Sequence, residues 1–455
     1  MTDAAVASAP AATEKHPKGL YVLFSAEMWE RFSFYSMSGM FVLYLRDATQ
    51  GFGWDMERAS VLNAYYLMFV YVSPLVGGWL ADRWLGYRRS VVIGGFFFMA
   101  GHLLLAFHAI EAMYAALTCL VVGNGFFKPN VSTMVGNLYP QTSALKDRAF
   151  SIFYMGINIG ALAAPIACEI VAQRYGYHPA FAMAAGGMVV SVGILTFLRR
   201  FIEAGDRRPG SGAPKVEPLD ANDPIHAVAE WKRVTALVVV YLVGVAFWVL
   251  FWQNFSTLTD FADKSTDWSG LAAMVSDDPN TRITGILSNA INPAWIIVFG
   301  LVLTPVWRVM ALRGTEPSTP TKMTLGLLCA AIAAFVMWGA AIAAGHTTVD
   351  LSAATKVSPW WLVVCYAFLS LGELLLSAMG LSLASKVAPA RFRGLLMGGW
   401  FVSLGLGAYI SKFGGQYWES TPHTKIFAAM GFLCLGATAV LFVLLRFLRK
   451  AMPGV

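Results

Sequence analysis

The chain has 455 residues, 57% of them hydrophobic and only 13% charged, with a formal net charge of +7. Soluble domains carry about 25% charged residues, so this composition, with a mean hydropathy of +0.60, excludes a soluble enzyme and points to a bilayer. The basic excess is then a matter of topology before nucleic acid needs to be invoked.

In chain order, residues 1–19 are Ala-rich and polar, with no short apolar core or small-residue cleavage site, so no cleaved signal peptide is expected. Apolar stretches near 20–45, 57–80, 88–109, 112–138, 148–172, 178–200, 234–262, 284–310, 322–344, 359–387, 392–418 and 424–448 are each long enough for a membrane helix. Twelve spans put both termini on one side. The polar stretch 201–232, with Arg207-Arg208-Pro209-Gly210-Ser211-Gly212, reads as a linker. The expected organisation is a tail (1–19), a six-helix bundle (20–200), a linker (201–232), a second six-helix bundle (233–448) and a short tail (449–455). Cys119, Cys168, Cys329, Cys365 and Cys434 are odd in number and sit in apolar segments, which reads as small core residues rather than a disulfide framework.

Lys and Arg orient these spans. Twenty-three fall on the side of the N-terminus and eight on the other, with Arg31 and Lys128 left at membrane depth. The positive-inside rule places both termini and the linker in the cytoplasm. The two halves also echo each other weakly: Ser73-Pro74 leads to Asp82-Arg83 and Arg88-Arg89, and Thr304-Pro305 leads to Arg308, Arg313 and Lys322. Such symmetry is expected of six-plus-six transporters, whose substrate site lies between the halves.

Ionisable residues at membrane depth carry the chemistry. Each costs at least about 2.5–3.5 kcal/mol and is functional by default. Glu27, Glu30 and Arg31 lie in the first apolar segment at i, i+3 and i, i+4 spacing, so they share a helix face and can pair. Snorkelling is the bland alternative, but Glu30 lies about 15 Å in at 1.5 Å per residue. Lys128, in Phe127-Lys128-Pro129-Asn130, and Glu373, in Gly372-Glu373-Leu374, lie deep in opposite halves. Paired across a cavity, they would close one side of a transporter and part when it rocks. Alternatively, each caps a local backbone defect, Lys128 beside Pro129 and Glu373 beside Gly372. Tyr35, Tyr71, Asn158, Asn292 and Trp400 are polar or amphipathic residues within spans, each taken singly a packing residue. Asp82 can meet a positive helix end or Arg83, Arg88 and Arg89 at the turn after the second span.

Together these segments resemble the proton-dependent oligopeptide transporter family of the major facilitator superfamily. Glu27-x-x-Glu30-Arg31-Phe32-Ser-Phe-Tyr35 is similar to that family's first-helix motif, and Phe150 to Leu162 to its fifth-helix signature. Gly77 to Arg89 looks like the superfamily's gating turn. Phe127-Lys128-Pro129-Asn130, Asn292-Pro293, Glu316-Pro-Ser-Thr-Pro320, Gly372-Glu373 and Met379-Gly-Leu-Ser382 add further matches.

The resemblance implies an all-α fold of twelve transmembrane helices and proton-coupled uptake of di- and tripeptides, in a multi-pass inner-membrane protein that works as a monomer. The proton is the coupling ion, with no other cofactor, no metal, no enzymatic activity and no nucleic-acid partner; the partners are a small peptide and the lipid bilayer. It makes Glu30 the chief proton carrier, held by Arg31, with Glu27 in support. It makes Lys128 and Glu373 the inter-bundle pair, which also attend the peptide carboxylate and amino group. Tyr35, Tyr71, Asn158, Asn292 and Trp400 match binding-cavity positions. Helices often inserted between the halves in bacterial members are absent from 201–232. Two departures stand out: Ser38 occupies the position of a second first-helix arginine, and Trp252 precedes Gln253 where members often carry an acid. Either Lys128 alone binds the carboxylate, or the chain serves another small peptide-like or anionic solute, with Ser38, Trp252 and Gln253 in the cavity.

Overall fold

A computed structural model of the protein describes residues 15–140, 145–206, 224–278, 281–389 and 392–453. Twelve long helices run through these residues: α1 (Lys18–Arg46), α2 (Met56–Leu80), α3 (Tyr87–Leu104), α4 (Ile110–Asn137), α5 (Lys146–Tyr175), α6 (Tyr177–Phe197), α7 (Glu230–Phe251), α10 (Ile291–Leu312), α11 (Thr319–Ala343), α12 (Trp360–Val387), α13 (Arg393–Gln416) and α14 (His423–Ala451). Two short helices, α8 (Thr257–Lys264) and α9 (Ser269–Val275), lie between α7 and α10. Among the described residues, nine helices are long and apolar enough to cross a membrane on length and composition alone. The first is not among them, because Glu27, Glu30 and Arg31 lower the hydropathy of its interior.

The expected spans differ from these helices in three places. The segment 234–262 is not one helix: α7 stops at Phe251, tightens into a 3-10 turn over Trp252–Phe255, and resumes as α8 after Ser256 at φ −145° and ψ −105°. The segment 284–310 likewise starts with a 3-10 turn, Gly285–Ala290, before α10. The third helix ends at Leu104 rather than near residue 109.

The expected linker begins as structure. Asn137 donates its amide to the Gly205 carbonyl at 3.2 Å, and the Arg88 backbone N–H donates to Asp206 at 3.0 Å. Arg207, Arg208, Lys215 and Arg391 lie outside the described residues, as does most of the tail 1–19.

Packing joins the long helices into a first-half set and a second-half set. α1 packs on α5 and α6, α3 on α4 and α6, and α2 on α4; α11 packs on α12 and α14, α7 on α13 and α14, and α10 on α12. Between these sets, α2 lies along α13, and α5 lies against Gly285–Ala290 and α10. Close approach of α2 and α4 explains one glycine of the sequence motif. A Cβ on Gly77 would collide with the carbonyl of Gly125, so only glycine fits there.

Candidate functional site

The site starts from proline. Pro74 has no N–H, so it leaves the carbonyl of Val70, four residues earlier in α2, without its helical donor. Asn124 of α4 donates to that carbonyl at 2.7 Å and turns its own oxygen to Arg31, which donates to it at 3.4 Å. A buried arginine is thereby tied through one amide to a backbone defect in a neighbouring helix.

Arg31 also carries the ionic contacts. Its Nε and Nη2 both bond the Glu30 carboxylate, and Nε lies 3.4 Å from Glu27 Oε1. The three side chains are 2% exposed or less. Glu27 Oε2 has no hydrogen-bond partner among the described residues. One guanidinium thus faces two carboxylates, and the guanidinium also lies 4.8 Å from the Phe34 ring centre. Ionised, the triad carries one net negative charge; with one proton added it is neutral.

Lys128 follows Asn124 by one helical turn of α4 and shares its face. Its ammonium lies 4.9 Å from the ring centre of Tyr71, the residue after Val70. The Tyr71 ring in turn meets Trp252 of the other helix set at 4.9 Å between centroids. Glu373 of α12 accepts from Asn292 of α10 at 3.0 Å, and the same amide donates to Ser370 at 2.8 Å. No ion pair joins Lys128 to Glu373 among the described residues in this conformation. Each rests on partners within its own helix set.

The other expected cavity residues divide. Tyr35 reaches towards Phe255, with ring centres 6.1 Å apart. Asn158 folds its amide back onto the Tyr154 carbonyl at 2.9 Å. Trp400 is fully buried beside Gly380 and packs on Tyr241 and Trp248. Gln253 is consumed by structure: it donates to the carbonyls of Val249 and Ser411 and accepts from Thr257, so it bridges α7 to α13. Trp252 is 2% exposed and donates its indole N–H to the Leu404 carbonyl at 3.1 Å. Ser38 is buried with its hydroxyl unpartnered among the described residues. Met379 and Ser382 lie in α12, but their side chains fall outside the described set.

At the turn after α2, Asp82 does not meet the arginines. It accepts from the Tyr87 hydroxyl at 2.8 Å, while Arg88 pairs with Asp206 at 3.5 Å and Arg83 lies over Trp79. Arg89 follows within α3.

Sequence reading missed the polar groups at the opposite end from the N-terminus. Arg46, at the end of α1, pairs with Asp260 of α8 at 3.0 Å and with Glu419 at 2.7 Å. Glu169 of α5 binds Thr284 ahead of α10. Asn124 was also missed, although its place four residues before Lys128 and Pro74's demand on Val70 were both readable.

This arrangement defines a membrane transporter, and the chain belongs to the POT family, whose sequence model matches residues 88–211 and 221–428. The chain is 31% identical over 97% of its length to an uncharacterized transporter, YclF, of Bacillus subtilis, covering 96% of that protein. It is 27% identical to a di-/tripeptide transporter of Lactococcus lactis subsp. lactis, over 96% of this chain and 97% of that one. A crystal structure of a peptide transporter POT in complex with sulfate superposes with a TM-score of 0.84 at 30% identity, covering 97% of each chain. The fold is the all-α membrane fold of this family, and the protein is a multi-pass protein of the bacterial inner membrane.

Proposed function

We propose that the protein imports di- and tripeptides together with protons by alternating access. The observation that carries this reading is the buried triad of Glu27, Glu30 and Arg31, tied through Asn124, one turn before Lys128 on α4, to the helix that carries Lys128. Its relatives of matching length include a di-/tripeptide transporter.

Twelve spans form two bundles of six, with both termini in the cytoplasm and 201–232 joining them. Glu30 carries the proton: ionised, it holds Arg31; protonated, it frees Arg31 and makes the triad neutral. Glu27 takes up part of the released guanidinium charge. Lys128 receives the peptide carboxylate and Glu373 its amino group, and the two join across the cavity when the cytoplasmic side shuts. In this conformation they are apart, while Arg46, Asp260 and Glu419 join the halves at the outer end. That combination supports a state open to the cytoplasm. Tyr35, Tyr71, Asn158 and Asn292 line the path, and a single copy of the chain contains every group the cycle uses.

Uptake by proteoliposomes under an imposed pH gradient, with a panel of dipeptides, tests this. Accumulation of a dipeptide with matching proton flux is expected. Failure of both rejects the reading.

Trp252 favours a second reading. It fills with an indole, fully buried, a position where a charge would serve a peptide terminus. A small peptide-like or anionic solute that needs only Lys128 would fit that cavity, and it would compete in the same assay where dipeptides do not.

A further inference from the structure

Two helices of the second half are interrupted where they face the first half. Interrupted helices expose backbone groups, and within a membrane such groups are tolerated only where something else satisfies them. Here side chains of the first half supply the partners. At the break between α7 and α8, Asn63 of α2 donates to the Phe255 carbonyl at 3.1 Å. At the start of the 3-10 turn before α10, Glu169 of α5 accepts from the Thr284 backbone N–H and the Thr284 hydroxyl, both at 2.6 Å.

The second contact is the stronger device. A carboxylate at a helix N-terminus is favoured by the exposed N–H groups there, and hydrogen bonds to an ionised group are about twice as strong as neutral ones. Glu169 is 7% exposed, and Gln173 one turn on adds a donor at 3.3 Å. Asp263 of α8 accepts from the next backbone N–H, Gly285, at 3.1 Å, and its charge is met by Arg282 at 3.1 Å. Glu169 has no cation within ion-pair distance among the described residues. What holds it is the polarity of the turn itself.

We propose that Glu169 is a positioning residue for transport: a latch that keeps the outer seam shut by capping the backbone of the turn before α10. Opening to the outside pulls α5 from Gly285–Ala290, strips the Thr284 N–H of its partner and returns the carboxylate to water. The latch therefore favours the outward-closed state, and it re-forms only when water leaves the seam. It supplies a polar closure at the mouth in a chain whose cavity has Ser38 and Trp252 in place of charges. The proposal rests on the alternating-access reading.

Labelling of a cysteine at the seam tests it without any substrate, so failure of peptide uptake and failure of the latch are separate results. Asn289 is buried and faces Gly39 of α1 across the seam. Asn289→Cys, in the full chain with its five native cysteines replaced by alanine, reports opening to a membrane-impermeant maleimide added outside. Glu169→Ala is expected to raise the labelling rate by at least about tenfold, because it removes both hydrogen bonds from Thr284 to a charged group. Thr284→Val, which removes the hydroxyl contact and leaves the backbone N–H bond, should act in the same direction but less, and the double variant should add little to Glu169→Ala alone. Glu169→Gln, which keeps the volume and one accepting oxygen, should fall between, and it carries the test if the alanine variant does not fold. In uptake, Glu169→Ala should lower KM on the outer side and lower the maximal rate, a split that general loss of folded protein would not produce. Unchanged labelling in the Glu169 and Thr284 variants, or fully additive effects, overturns the proposal.

Discussion

A covalent clamp between α1 and the turn before α10 should stop transport, and the structure says where to place it. A Cβ built on Gly39 would lie 3.7 Å from the Cβ of Asn289. Disulfides span Cβ separations of about 3.5–4.5 Å, so Gly39→Cys with Asn289→Cys can close without moving either backbone. Gly39 is within helical α1 and has no positive φ, so the added Cβ brings no backbone strain. Loss of the Asn289 amide removes hydrogen bonds to Thr259 and the Ile286 carbonyl, which costs about 1–3 kcal/mol for the two together. That leaves a folded protein. Ligand and proton binding, by contrast, work against the clamp with limited force: about 5.5 kcal/mol turns a 1:99 population into 99:1, far short of breaking a covalent bond. The oxidised double variant, its cross-link verified by mass, should therefore take up peptide no faster than protein-free liposomes, and reductant should restore uptake. Each single cysteine variant should be insensitive to reductant. Full uptake by cross-linked protein would refute the argument, because the seam between α1 and Gly285–Ala290 would then not be a moving surface.

Further outcomes concern the charges. Glu30→Gln should abolish gradient-driven accumulation but retain peptide exchange, and full accumulation in that variant would place proton coupling elsewhere. It should also lower thermal stability, since removing one partner of a buried ion pair costs about 3–5 kcal/mol, and Glu27 at 3.4 Å restores only part of that. Asn124→Ala should impair coupling in the same direction, more mildly, by removing one acceptor from Arg31 and the 2.7 Å donor from the Val70 carbonyl, which then keeps only the Ser73 hydroxyl at 3.3 Å; unchanged coupling would show that the amide only repairs the helix. Lys128→Ala and Glu373→Ala should each impair uptake, with strong non-additivity in the double variant; independent effects would mean that the two never meet. Ser38→Arg should lower KM for a dipeptide if the carboxylate lacks a second cation, and no change in KM would leave Lys128 as the sole carboxylate partner.

Much of the site was legible because membrane burial makes charge conspicuous. Glu27, Glu30 and Arg31 announce themselves against apolar neighbours, and helical spacing alone pairs Glu27 with Arg31, as found at 3.4 Å. The positions of Lys128 and Glu373 were equally plain. Their partners were not: Lys128 lies over Tyr71 and Glu373 bonds Asn292, because which groups meet depends on the conformation of the whole assembly. Gln253 shows the same dependence on packing: the family resemblance offers it as a cavity position, while its amide joins α7 to α13.

What the sequence by itself determined is the number of long helices, the burial of the charges in apolar helices and the family. Those follow from hydropathy, helical period and motif, all of which are local. Only the tertiary structure decided that α7 and α10 are interrupted where they face the first half, and that Asn63 and Glu169 cap those interruptions. The physical reason is that a freed backbone group carries no signature in its own residue type. Its partner is chosen by whichever distant side chain the packing brings within hydrogen-bond reach.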